Sequence, residues 1–234
     1  MRVSLINYTP KPIETVYTAA RTCYSKKTAS QIWAKRVTSF EMGKLLDRTI
    51  ESGHHSILEH ISFTFAIEGV SRAASHQLVR HRLASFSQQS QRYAELDDQG
   101  YITPNSIKYS TDAKMIFEEA MASCKQAYEK LRKKGIPKED ARFIMPNATS
   151  TNLVMTMNFR ELWHVSGIRL CKRAQWEIRE LFIKIKSELH SVPELTGFAD
   201  YLGPRCETLG YCPEFQSCGL YPTRREALKN DKEY

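Results

Sequence analysis

Arg80, His81, Arg82 and Arg92 lie within residues 77–93, QLVRHRLASFSQQSQRY, a segment rich in hydroxyl and amide side chains and free of acids. Guanidinium forks and short polar donors match phosphate oxygens, and no carboxylate in the segment neutralises them. These residue types suit capture of a dense anion. The net charge of +8, from 34 Lys and Arg against 26 Asp and Glu, favours anionic partners of any kind, so position decides more than the total. The stretch 125–138 and the tail after Arg224 mix acids with bases and read as solvated faces.

Other chemistries find less support. His54, His55, His60, His76 and His81 crowd one region, but the order His55-Ser56-Ile57-Leu58-Glu59-His60 fits neither HExxH nor HxxEH, the spacings that put zinc ligands on one helical face. Ser90 and Cys171 are candidate nucleophiles, yet no GxSxG elbow frames Ser90 and no hydrolase motif frames Cys171. Walker A and GxGxxG sequences are absent. Cys206-x5-Cys212-x5-Cys218 lacks the CxxC spacing of a zinc knuckle and reads as packing or incidental thiols, with a structural metal that includes Cys171 as the alternative. A basic nucleic-acid module is the competing class, with Arg72, Arg80, Arg82 and Arg92 along a phosphate backbone and Phe86 and Tyr93 stacking on bases.

The elements that must position these residues follow from periodicity. The 234 residues, 41% hydrophobic with 10 Gly and 9 Pro, suit one compact globular domain. No window approaches the roughly 20 apolar residues of a membrane span, and the N-terminus lacks the apolar core of a signal peptide. The expected location is cytoplasmic, with the six cysteines as free thiols. Thr38-Ser39-Phe40-Glu41 is a capping box, followed by Met42, Leu45, Leu46, Thr49 and Ile50 at helical spacing up to Ser52-Gly53. Ile61, Phe63, Phe65 and Ile67 alternate with Ser62, Thr64, Ala66 and Glu68, which predicts a strand that Gly69 closes. Ser71 caps a short helix, placing Arg80-His81-Arg82 at or just after its last turn.

A long helix is predicted from Thr111 to a stop at Gly135, carrying Ile116, Ala120, Cys124, Ala127 and Leu131 on one stripe, and reads as scaffolding. Pro137 opens a short helix that Pro146 ends, and Leu153 to Met157 read as a second core strand. Helices then cover Arg160 to Cys171 and a stripe of Ala174, Ile178, Leu181, Phe182, Ile185 and Leu189. After Pro193 the periodicity fades.

Arg80-His81-Arg82, seven residues and then Ser90 form the RHR-x7-S signature, and here the chain resembles the flavin-dependent thymidylate synthases. GHHSILEHISFTF upstream resembles the family's GH-x-S/T-x-x-E-H segment and following strand. Arg92-Tyr93, Asn158-Phe159-Arg160-Glu161, Ile168-Arg169 and Ala174-Gln175-Trp176-Glu177-Ile178 match in order downstream. The resemblance spans roughly residues 1–200 and covers the Cys-containing tail from about 200 only weakly. It implies an α+β fold, a single domain over 1–234 with a mainly antiparallel core sheet flanked by helices. It also implies reductive methylation of dUMP to dTMP, with methylenetetrahydrofolate as one-carbon donor, FAD as hydride carrier and NADPH as reductant. The implied assembly is a homotetramer with active sites at subunit interfaces; nucleic acid and membrane are not partners.

By the same resemblance the dUMP pocket takes Gln77, Leu78, Val79, Arg80, Gln88, Gln89, Ser90, Gln91, Arg92, Arg142 and Arg169. FAD takes His54, Ser56, Glu59, Arg80, His81, Arg82, Gln88, Asn158, Phe159, Arg160 and His164. Arg169 matches the arginine facing the pyrimidine, where a fixed cation favours the deprotonated ring, and it is the expected catalytic residue. No metal is implied. Against these roles, Glu59 and His60 read alternatively as a satisfied pair at a core edge, and His55 and His76 as surface. Gln88 replaces an acid of some members, His164 an Asn of some, and Gln91 stands where many have Gly, which requires a backbone with negative φ.

Overall fold

The computed structural model describes residues 1–93 and 100–230. Its centre is a four-stranded antiparallel sheet, and helices flank it, as the α+β expectation has it. The strands are β1 (Arg2–Tyr8), β2 (Ser62–Ser71), β3 (Ala84–Gln88) and β4 (Ser150–Asn158), in the order β1-β2-β4-β3. The alternation read for β2 is the burial observed: Ile61, Phe65 and Ile67 are 0% exposed, Phe63 1%, and Glu68 faces solvent. In β4, Leu153, Met155 and Met157 are buried while Asn152 and Val154 are exposed. On the other face, the Thr64 and Thr156 hydroxyls meet at 2.9 Å. Gly69 does not end β2. It takes φ +68, open to glycine at little cost, its N–H donates to Asn152 Oδ1 at 3.0 Å, and the strand continues to Ser71.

The chain gathers into two compact units, each discontinuous in sequence. One comprises Val3–Ala66, His81–Ser85 and Met155–Tyr234. Its helices are α1 (Pro12–Thr22), α2 (Ala29–Trp33) and α3 (Ser39–Glu51) near the N-terminus. The capping box opens α3 as expected, with Glu41 N–H donating to Thr38 Oγ1 at 3.3 Å and Thr38 N–H to Glu41 Oε2 at 3.4 Å. Met42, Leu46, Thr49 and Ile50 are its buried stripe. A second capping box, Thr28 with Gln31, starts α2, a signal that the same rule could have found.

The 3-10 turn His55–His60 leads into β2. In the C-terminal part of this unit, α8 (Phe159–Arg169) and α9 (Trp176–His190) follow β4; α9 buries Ile178, Leu181, Phe182, Ile185 and Leu189, and Ala174 lies before its start. The fading periodicity after Pro193 corresponds to short pieces: a 3-10 turn Pro193–Leu195, α10 (Thr196–Asp200), α11 (Arg205–Leu209) and α12 (Arg224–Asn230). Helices of a turn or two are too short to show a repeating stripe.

The other unit comprises Met1–Arg2, Ile67–Arg80 and Phe86–Val154. Its α4 (Arg72–Leu78) is capped by Ser71, which accepts Ala74 N–H at 3.0 Å, and Arg80 falls in the turn after it, as read. Beyond α5 (Asn105–Lys108), α6 (Thr111–Lys133) has the predicted length, and its stripe is mostly uncovered. Ile116 is 69% exposed, Ala120 and Ala127 are exposed, and Cys124 and Leu131 are half-buried. Its buried residue is Tyr128, packed with Leu131 of the same helix, Ala141 of α7 (Lys138–Ala141), Ile144 of the 3-10 turn Arg142–Ile144 and the following Met145. Periodicity reports an amphipathic helix; it does not report whether the same chain covers the apolar face.

Phe65 is the central side chain of β2 and is fully buried. Phe65→Ala is expected to lower the unfolding free energy by about 3–5 kcal/mol, read as a fall in the urea midpoint with little change in slope.

Candidate active site

In the unit built on α4 and α6, cationic side chains converge. Arg72, the first residue of α4, donates from Nη2 to Gln89 O at 2.7 Å, while its buried Nε has no hydrogen-bond partner. Burial, and then the like charge of Arg142, lower its basicity. Arg142 Nε donates to Glu139 O at 3.1 Å, and the Glu139 carboxylate pairs with Arg92 Nε at 2.6 Å. The Arg92 guanidinium lies over the Tyr93 ring at 5.3 Å, and Arg92 N–H donates to Ser90 Oγ at 3.1 Å. An orphaned buried N–H beside a second guanidinium fits an anion, since buried donors otherwise find partners. Arg72 is absent from the substrate residues read from the sequence; its place at the N-terminus of a Ser-capped helix in the same basic unit was the available signal.

Gln77, Val79, Gln89, Ser90 and Gln91 are half-buried there, Arg80 is exposed, and Leu78 is fully buried, so the Leu78 side chain is core packing. Gln88 turns inward, donating from Nε2 to Ser75 Oγ at 2.9 Å and Thr151 Oγ1 at 3.4 Å. A carboxylate in its place could not donate, which gives the acid-to-amide departure a structural use. Gln89 accepts from Asn152 Nδ2 at 2.9 Å. Among the described residues Lys11 is the non-glycine with positive φ, so Gln91 keeps a negative φ and needs no glycine.

In the other unit, Asn158 caps α8 by accepting Glu161 N–H at 2.9 Å. The cap starts a helix that puts Arg160, Trp163, His164 and Gly167 on one face, and all four line a cleft of about 690 Å³. Opposite them stand His55, Glu59 and Leu83, with Arg205 and Leu209 contributed by α11. Glu59 pairs with Arg160, so the Glu59–His60 pairing considered above does not form; His60 is exposed. His55 is not plain surface: its ring meets Trp163 edge-on at 4.8 Å, and its Nε2 lies 3.1 Å from Ile50 O. Trp163 in turn meets Tyr201 at 6.3 Å, giving the cleft an aromatic wall. His55, Trp163 and the α11 residues were missed because neither spacing nor charge marks a wall residue.

Of the expected FAD residues, His54, Ser56, Glu59, Arg82, Arg160 and His164 are exposed and Asn158 is half-buried. Phe159 is fully buried against Phe63 and Phe198, and its N–H donates to Ile61 O at 2.9 Å, so its ring belongs to the core. Arg80 and Gln88 lie in the unit built on α4 and α6, and Arg169, expected at the substrate, lies in this one.

Arg169 Nε donates to His81 Nε2 at 3.0 Å. Burial, then the charges of Arg169 and His164, push the His81 imidazole down to about 4. His81 is therefore neutral at pH 7 and accepts from the guanidinium. Because its folded value lies below the ordinary 6.5, its contribution to stability is full above about 6.5 and is lost as pH falls through about 4. The His81 ring resonance is expected to titrate near 4 by NMR. In Arg169→Ala the midpoint moves upward but stays below 6.5, because burial, the larger cause, remains.

The chain is similar to known proteins along most of its length. The family model described as thymidylate synthase complementing protein matches residues 4–193. A flavin-dependent thymidylate synthase of Geobacter sulfurreducens is 46% identical over 222 residues, covering 94% of each chain. One of Pyrococcus abyssi is 46% identical over 220 residues, covering 92% of this chain and 90% of that protein. Among solved structures, the UMP/dUMP methylase PolB from Streptomyces cacaoi, bound with 5-Br dUMP, superposes with a TM-score of 0.71 at 23% identity. It covers 87% of this chain and 96% of that one, a likeness of fold. A family match over most of the chain, with relatives this similar along nearly their whole length, places the chain in the flavin-dependent thymidylate synthase family.

Proposed function

We propose that this chain catalyses reductive methylation of dUMP to dTMP, taking the one-carbon unit from methylenetetrahydrofolate and reducing equivalents from NADPH through FAD. The observation that carries the reading is Arg169 held by a neutral, half-buried His81, a cation fixed in orientation by a partner without charge. FAD, when bound, supplies the hydride that completes the methyl group.

The cleft fits such a cofactor. Its volume lies in the range of small-molecule sites, and it combines an aromatic wall with arginines and imidazoles. Glu59, Asn158, Arg160 and His164 line the cleft and would hold FAD together with His54, Ser56, His81 and Arg82, and His55 and Trp163 add a flat surface for a ring. Arginines and a serine can grip a pyrophosphate without a Gly-rich loop. The Glu59–Arg160 pair is about half exposed, so exchanging the carboxylate for a phosphate costs little.

For dUMP, Ser90, Arg92 and Arg142 receive the phosphate, with Arg72 joining them through its unpartnered Nε. The Gln77–Arg80 and Gln88–Gln91 segments form the rest of the pocket. Arg169 faces the pyrimidine, where its charge favours loss of the ring proton and raises electron density at the carbon that attacks the one-carbon unit. No enzymic nucleophile takes part. The proposal includes a cytoplasmic homotetramer with interface sites, and the exposed Met115 (65%), Ile116 (69%) and Phe143 (82%) provide apolar surface for a second copy.

Purified protein is expected to be yellow, with a flavin spectrum that changes on adding dUMP; a colourless protein that takes up no FAD refutes the function. Arg169→Ala is expected to retain the flavin spectrum and lose roughly 10²–10³-fold in kcat. Arg72→Met is expected to raise KM for dUMP roughly tenfold or more, since a charge-assisted hydrogen bond is lost. A dUMP adduct at Cys171 or Ser90, sought by mass spectrometry of the denatured enzyme, would refute the nucleophile-free mechanism.

A further inference from the structure

The aromatic wall of the cleft is a row of three rings. Trp163 stands in the middle, meeting His55 edge-on at 4.8 Å and Tyr201 edge-on at 6.3 Å. His55 and Trp163 line the cleft, and Tyr201 backs them from outside it, its ring 6.5 Å from that of the fully buried Phe159. All four residues belong to one unit.

Both ends of the row are tied to α3. The Tyr201 hydroxyl donates to Asp47 Oδ1, and His55 Nε2 lies 3.1 Å from Ile50 O. A carbonyl oxygen only accepts, so His55 Nε2 carries a proton and donates it. Asp47 and Ile50 stand three positions apart on one helix and are therefore neighbours on its surface. One turn of α3 thus grips the two outer rings and, through them, the indole between.

Packing does not account for the Tyr201 hydroxyl. A phenylalanine would serve the ring contacts with Trp163 and Phe159, whereas the hydroxyl adds a directed bond across 154 positions of sequence. Burial first, then the Asp47 hydrogen bond and the charges of Asp47, Glu51 and Asp200, raise the phenol well above its ordinary 10. The proton therefore stays on the oxygen, and the bond persists through the neutral range. What the bond reaches is Trp163, the ring that lines the cleft. Rings ordered before a ligand arrives spare binding the entropy of ordering them.

We propose that Asp47 and Tyr201 are positioning residues of the cleft: their hydrogen bond fixes the plane of Trp163, whose indole packs against a flat ring of the bound cofactor. The inference rests on the reading of the cleft as the FAD site. Neither residue touches the ligand; both act through the indole.

Titration of the full chain with FAD, followed by flavin fluorescence, tests the effect on binding. Tyr201→Phe keeps the ring and removes the hydroxyl, and it is expected to bind FAD about three- to tenfold more weakly, the consequence of one lost hydrogen bond. Asp47 is exposed, so Asp47→Leu leaves the core intact and is expected to match Tyr201→Phe, while Asp47→Asn keeps an acceptor oxygen and binds like the unaltered chain. In a Trp163→Leu background Tyr201→Phe is expected to have no further effect; an equal loss in both backgrounds means that the hydroxyl serves the fold alone and overturns the proposal. A second readout needs no ligand. The tryptophan near-ultraviolet circular dichroism that Trp163→Leu removes is expected to shrink in Tyr201→Phe and Asp47→Leu and to persist in Asp47→Asn, and an unchanged band in the first two overturns the positioning role. Unaltered FAD affinity in Tyr201→Phe overturns this inference and leaves the reading of the cleft standing, whereas an unaltered chain that binds no FAD overturns both.

Discussion

Two strand-to-helix turns, each closed by a side-chain cap, determine where the chemistry of this protein can lie. β2 and β4 are neighbours in the sheet, and each delivers the chain from a buried, alternating strand into a helix. Ser71 accepts an N–H of α4 and Asn158 accepts an N–H of α8. A cap of this kind satisfies donors that would otherwise be left unpaired and fixes where the first helical residue starts. From Ser71 onward the register of α4 places Arg72 on the helix's first turn and the Arg80 turn beyond its last. From Asn158 onward the register of α8 turns Arg160, Trp163, His164 and Gly167 to one cleft.

The arginines divide by partner. Arg92 and Arg160 face Glu139 and Glu59 across pairs whose side chains are about half exposed, and such pairs contribute little to stability. They hold each guanidinium in place. Arg72 is held by a backbone carbonyl, and Arg169 donates to an imidazole that burial keeps neutral. Neutral acceptors orient a cation without cancelling its field, which suits groups meant to act on a ligand's charge.

The tail after α9 follows another logic. Leu195, Phe198, Ala199 and Leu202 are buried in the core, and beyond them residues 203–223 bury little apolar surface and follow turns and a few hydrogen bonds. Through α11 the same segment also lines the cleft opposite α8, so the folding of the tail and the shape of the cleft are coupled.

Local order was open to reading from the residues alone. The capping box of α3, the alternation of β2, the Ser71 cap, the stripe of α9 and the RHR-x7-S segment are all set by neighbours a few positions apart, and the structure has them where the pattern puts them. β1, α1 and the short tail helices left no comparable signal, being too brief or too mixed in polarity. Only the tertiary structure decided which apolar faces are covered: α6 has a helical stripe, yet Ile116 stays exposed because nothing else in the described chain packs there. It also decided that Glu59 meets Arg160 and not His60, that Phe159 and Leu78 point into the core, and that His81 loses its charge beside Arg169. The physical reason is common to all of these. Caps and periodicity depend on separations of two to four residues, whereas burial, ion pairing and shifted proton affinity depend on groups brought together from sites tens of residues apart.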